Sequence, residues 1–171
     1  LKMGVDTYEE TFRRINRHGI AVLGSFIGGT DVDTVDKLQH RKHYILRSAG
    51  IDATELTYLT PLPGTRLFNK LADERRLLYT RFPEDWDRYD MTEVVHQPAL
   101  IAPEELSAIG SQLAAQVYSR RSIWRKFFRT WRATGSLITA TWAYRYNVAY
   151  RDISLAIVES ERKERLVPQR R

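Results

Sequence analysis

Apolar positions along the chain change period several times. Tyr8, Phe12 and Ile15 recur at helical spacing, which predicts a helix over residues 7–17. Thr7 and Glu10 have the spacing of a capping box, and Gly19 can end the helix in a left-handed conformation. The stretch GIAVLGSFIGG, residues 19–29, is apolar on both alternations and reads as a strand with both faces covered. Asp33 or Thr34 then caps a helix to about Ser48, with Val35, Leu38 and Ile45 near one face and Gly50 as a stop. ATELTYLTPLPGT is a second strand ending in a proline–glycine turn. Thr65, or the turn before it, opens a third helix, RLFNKLADERRLL, with Leu67, Phe68, Leu71 and Leu77 as its apolar residues. An aromatic, acidic loop, RFPEDWDRYD, leads to a third strand at TEVVHQP.

This order predicts βα units in a parallel sheet or barrel. A helical region follows. Pro103 stands in the first turn of APEELSAIGSQLAAQVYS, with Glu104 and Glu105 at the positive end of the dipole and Leu106, Ile109, Leu113 and Val117 as its stripe. Two more helices are expected near 123–133 and 136–161. The expected class is α/β: a partial (β/α) barrel fragment of about three parallel strands over residues 1–102, a C-terminal helical region over 103–160, and a flexible basic tail at 161–171. Three strands cannot close a barrel, and an open three-stranded sheet leaves its edges bare. An eight-stranded barrel takes roughly 250 residues, so the chain reads as part of something larger.

Composition narrows the chemistry. Hydrophobic residues make up 43% and charged residues 28%, an ordinary globular balance. No apolar run reaches the roughly 18–20 residues of a membrane span, and the first residues lack a signal-peptide pattern, so a cytoplasmic location is expected. The chain has no cysteine, which excludes disulfides, thiolate zinc sites and cysteine-ligated clusters within it. The net charge of +6 is unevenly spread. SRRSIWRKFFRTWR, residues 119–132, carries Arg120, Arg121, Arg125, Lys126, Arg129 and Arg132 and no acid.

Three features invite a functional reading. In GSFIGGTDVDT, residues 24–34, the glycines lack the spacing of dinucleotide or Walker loops, and Asp31 and Asp33 lack a third metal ligand. A tight turn with Asp33 as helix cap is the better reading. TPLPGT, with Pro61, Pro63 and Gly64, ends a strand where α/β proteins bind ligands, and a rigid connection explains it equally well. In the aromatic-basic helix, Ile123, Trp124, Phe127, Phe128 and Trp131 repeat at helical spacing. It suits an interfacial membrane helix or a nucleic-acid face, but burial of the aromatic stripe with arginine stems at its edges is favoured. No aromatic strand platform for bases is visible, so the nucleic-acid signal is weak. His18, His40, His43 and His96 form no ligand pattern and read as surface or core histidines; no serine sits in a nucleophile elbow.

Four stretches together resemble the radical S-adenosylmethionine enzymes, in the branch that carries a cobalamin-binding domain: RHGIAVLGSFIGGTDVDT, LTYLTPLPGTRLFNKLADERRLL, DWDRYDMTEVVHQP and LIAPEELSAIGSQLAAQVYS. The resemblance covers roughly residues 1–130. It implies a (β/α)6 barrel whose Cys-x-x-x-Cys-x-x-Cys motif holds a four-iron four-sulfur cluster. The cluster binds and cleaves S-adenosylmethionine, often for methylation or a rearrangement. That motif and the cobalamin domain are missing here, so the resemblance implies a fragment or split enzyme whose partner is the missing N-terminal part. S-adenosylmethionine and the cluster are then cofactors of the full-length protein, with the use of cobalamin left open, and none is expected to bind this chain firmly by itself. Carried over position by position, Gly24, Ile27, Gly28 and Gly29 line the adenosine pocket, and Leu59, Thr60 and Pro61 meet the adenine edge. The resemblance supplies no catalytic residue, no metal ligand and no substrate. The competing expectation is a non-catalytic α/β module whose basic-aromatic helices bind a protein, a nucleic acid or, through residues 120–132, a membrane surface.

Overall fold

The computed structural model describes residues 7–166, with side chains as far as residue 157. The elements run α1 (Tyr8–Arg17), β1 (Leu23–Gly28), α2 (Val35–Arg47), β2 (Ala53–Tyr58), α3 (Arg66–Asp73), a 3-10 helix (Glu84–Arg88), α4 (Pro103–Val117), α5 (Arg120–Thr134) and α6 (Leu137–Leu166). Residues 161–166 of the expected tail continue α6; the remainder lies outside the described residues.

The α/β class holds, but the sheet among the described residues has two strands. Val22 O accepts from Ala53 N and Gly28 O from Leu59 N, a constant offset that fixes a parallel register. The third parallel strand expected at 92–98 does not form. Instead His96 bridges Leu77 in antiparallel fashion, with Leu78 N donating to Val95 O at 3.0 Å and Gln97 N to Arg76 O at 2.8 Å. The cause lies in α3, which stops at Asp73, short of the expected end. Arg75 takes φ 56°, the chain turns out of the helix, and Arg76–Leu78 become free to pair. The strand β1 also differs from expectation. Leu23, Ser25 and Ile27 are exposed while Gly24, Phe26 and Gly28 are half-buried, so only one face is covered.

The chain divides into two units. The first takes the residues up to Gly24, Ile45–Glu55 and those from Ala114 onward. Its apolar interior includes Ile51, Ala53, Val117, Tyr118, Ile123, Ala140 and Ala143, and α5 packs on α6 and on α1. Gly50 is more than a helix stop: a Cβ there would collide with Phe12 of α1. Gly19 ends α1 at φ 79°, as expected. The expected capping box is absent, because Thr7 already has helical torsions and does not cap through its side chain.

A buried polar network runs through this unit. Asp52 Oδ2 accepts from Asn16 Nδ2 and Val22 N, each at 2.8 Å, and Asp52 Oδ1 accepts from Thr130 Oγ1 at 2.7 Å. Lys126 Nζ donates to Thr54 Oγ1 at 2.6 Å and to Asn147 Oδ1 at 3.2 Å, and Asn147 Nδ2 donates to Asp52 O at 3.0 Å. Helix α5 therefore meets the expectation only in part: Ile123 is buried and Phe127 half-buried, but the rest of the stripe faces outward. Its buried residues are Ser122, Ile123, Lys126 and Thr130, while Trp124, Phe128 and Trp131 are 48%, 55% and 48% exposed. Satisfying Asp52 and Thr54 takes polar side chains, and these occupy the inner face.

The second unit comprises Ser25–Tyr44 and Leu56–Leu113. Leu38, Ile101, Leu106 and Ile109 form its core, joined by Val35, Tyr58 and Val94. Gly110 lets α4 approach β2, since a Cβ there would overlap the Tyr58 hydroxyl. The aromatic loop folds into a cluster of its own. Phe82 stacks on Trp86 with centroids 3.9 Å apart, Phe68 and Tyr89 close around them, and Tyr89 Oη donates to Tyr79 O at 2.7 Å.

Candidate functional site at the strand ends

Within the second unit, the C-terminal ends of β1 and β2 are joined by Leu59 N donating to Gly28 O at 2.8 Å. This places Ile27, Gly28 and Gly29 next to Leu59, Thr60 and Pro61, so six of the seven sequence-predicted pocket residues fall in one unit. Gly24 belongs to the other. Ile27 is half exposed, and Leu59 and Thr60 are half-buried. Thr60 Oγ1 donates back to Tyr58 O at 3.2 Å, and Gly64 turns the proline loop at φ 80°.

The glycine pair does not leave an open cradle. A Cβ on Gly29 would lie 2.9 Å from Leu106 Cδ2, and one on Gly28 would lie 3.6 Å from Leu106 Cδ1. The space gained by omitting side chains is filled by α4. At φ 93°, Gly29 also needs the conformational freedom of glycine.

Asp33 holds the loop after β1 from within. Its Oδ2 accepts from Gly29 N at 2.9 Å and Thr30 N at 3.0 Å, and its Oδ1 pairs with Arg41 Nη2 at 2.7 Å. Arg41 also donates to Ile27 O at 2.8 Å. Burial pushes the Asp33 carboxyl up, yet Arg41 and the Thr30 backbone outweigh it and the net shift is downward. The helix cap is Thr34, whose Oγ1 accepts from Lys37 N at 3.3 Å. Asp31 faces different partners. It pairs with Arg76, and with Lys70 at 3.4 Å. The Arg76 hydrogen bond is the main reason its carboxyl falls to about 2. Both aspartates are thus committed to cations. Among the described residues no three carboxylates, histidines or cysteines are grouped to hold a metal.

His96 is a site residue that the sequence did not reveal. Fully buried, it places Nε2 3.0 Å from Gly29 O. Burial lowers the pKa of its ring and outweighs the Gly29 and Leu59 backbone groups, which favour the charged form. A neutral imidazole therefore supports the backbone at the end of β1. Its apolar setting, VVHQP, marks it as a core histidine and gives no hint of which carbonyl it meets. Arg41 was more legible, since it stands two helical turns beyond Asp33 on α2.

The arrangement suits a neutral ligand with an apolar face. It offers one exposed aliphatic side chain and backbone at parallel strand ends, with nearby charge already paired. No protein-family model matches the chain, and no solved structure matches it. The chain is similar to the bacteriochlorophyllide d C-12(1)-methyltransferase of Chlorobaculum tepidum, with 29% identity over 122 residues. That alignment covers 71% of this chain and 25% of the relative, so the chain spans about a quarter of the length of the curated relative it matches.

Proposed function

We propose that the chain forms one wall of the S-adenosylmethionine site of a methyl-transferring enzyme of the radical S-adenosylmethionine kind. The observation that supports this best is the side-by-side placement of Ile27–Gly29 and Leu59–Pro61, in a chain similar to a methyltransferase. Half-exposed Ile27 provides an apolar surface for adenine, and the strand-end backbone suits the polar edge of a purine. Gly28 and Gly29 act from behind by admitting Leu106. Asp33, Arg41 and His96 hold the loop backbone in place.

These residues do not fit an iron–sulfur cluster, because the 171 residues contain no cysteine. In this reading the cluster, and any cobalamin domain, belong to residues outside this sequence. A cytoplasmic location is part of the same proposal. It accords with the finding that no helix among the described residues is long and apolar enough to cross a membrane.

The test is titration of the isotope-labelled chain with S-adenosylmethionine, followed by amide NMR. Weak binding is expected, with shift changes concentrated at residues 27–30 and 59–61. Changes elsewhere, or none at millimolar ligand, would overturn the site. Sub-micromolar binding would overturn the radical reading, because it would make a cluster anchor unnecessary.

A further inference from the structure

Helix α5 presents an apolar line that its own unit does not cover. Trp124, Phe128 and Trp131 stand at i, i+4 and i+7, each about half exposed. Trp124 stacks on Phe128 at 5.9 Å and meets Tyr144 of α6 at 5.0 Å, so the surface continues onto the next helix. Gly135 turns the chain at φ 66°, and Leu137 and Ile138 follow, 56% and 86% exposed.

Along α5 and the first half of α6 the charge has one sign. Arg120, Arg121 and Arg132 are exposed on α5, and Arg145 on α6. Between Glu105 and Asp152 the sequence contains no acidic residue. The back of α5 is fixed: Arg125 donates to Leu46 O at 3.2 Å, and Arg129 donates to Ser48 O at 2.8 Å and to Ile51 O. Lys126 is buried on the inner side. The aromatic line is therefore the stable outer face of a rigid helix.

From this geometry we infer that the outer face of α5, with the α5–α6 turn, docks on an anionic lipid surface. Tryptophan and phenylalanine sit in the headgroup–acyl boundary while flanking arginines pair with lipid phosphates and carboxylates. A nucleic acid would satisfy the arginines, but a duplex offers no apolar phase to an unbroken Trp–Phe–Trp line. A protein partner would have to supply both an apolar groove and a set of acids. The anionic bilayer supplies both properties at once. This inference is independent of the methyl-transfer proposal.

The test uses the full chain with vesicles of phosphatidylcholine alone and of an equimolar mixture with phosphatidylserine. Co-sedimentation should be at least about tenfold stronger with the mixture, and weaken with salt. Tryptophan emission should shift to the blue on binding, and brominated lipid should quench it. Trp124→Ser/Phe128→Ser/Trp131→Ser should abolish the binding, and Arg121→Glu/Arg132→Glu should reduce it at least about tenfold. All five positions are exposed, and circular dichroism checks that the variants fold. The wild-type comparison stands even if a variant does not. Absence of vesicle binding, equal binding to both vesicles, binding that survives the triple substitution, or retention on duplex DNA without vesicle binding would each overturn the inference.

Discussion

Lys126 is an ammonium group placed where hydration is lost. Burial, then the nearby Arg129 and Arg125, lower its pKa to about 7 from the ordinary 10.5. Between those two values the unfolded chain holds a proton that the folded chain releases. Stability should therefore rise as pH climbs from 7 toward 10, and the penalty should be complete below 7. For Lys126→Met this rise should vanish, and the difference between wild type and variant should change by about 2 kcal/mol between pH 7 and 9. Urea unfolding at the two pH values measures it, and parallel curves for the two proteins would refute the assignment. The residue scale also shows why some positions could be read and others could not. Thr65 caps α3 by accepting from Phe68 N, as its place before an apolar run predicts. Asp33 has the same local credentials, yet it turns back to Gly29 and Thr30 because Arg41 and a buried loop wait there.

At the scale of elements, close approach of helix to strand decides the packing. In α4, Leu106 fills the hollow at Gly28 and Gly29, and Gly110 admits Tyr58 of β2. Gly110→Ala raises helix propensity but overpacks this contact, so a net loss of about 1–3 kcal/mol is expected. Adding Tyr58→Phe removes the nearest obstructing atom and should recover part of the loss. A double-mutant cycle in denaturant checks the coupling. The helix α4 itself was legible throughout. Pro103, the paired glutamates and the buried stripe of Leu106, Ile109, Leu113 and Val117 all stand where the pattern predicts. The α5 pattern misled, because aromatic periodicity identifies a face without saying which side of the helix must satisfy Asp52 and Thr54.

At the scale of the molecule, the open face of β1 and the outer face of α5 leave large apolar side chains in water. Leu23, Ile27, Trp124, Phe128, Trp131 and Ile138 are all exposed. Such surface favours association. Light scattering should therefore show the average mass rising with concentration, and a constant monomer mass at high concentration would contradict this.

The sequence by itself determined the order of the main helices, the strands β1 and β2, and the glycine turns at Gly19 and Gly64. Those features depend on local periodicity, caps and backbone freedom, which neighbouring residues specify. Tertiary structure alone decided that TEVVHQP pairs with Arg76–Leu78 and that His96 supports Gly29. It also decided that Leu106 fills the glycine hollow and that α5 turns its aromatic side outward. Each of these depends on a partner tens of residues away. The competition there is between burying apolar area and satisfying buried polar groups, and no local pattern records which of the two prevails.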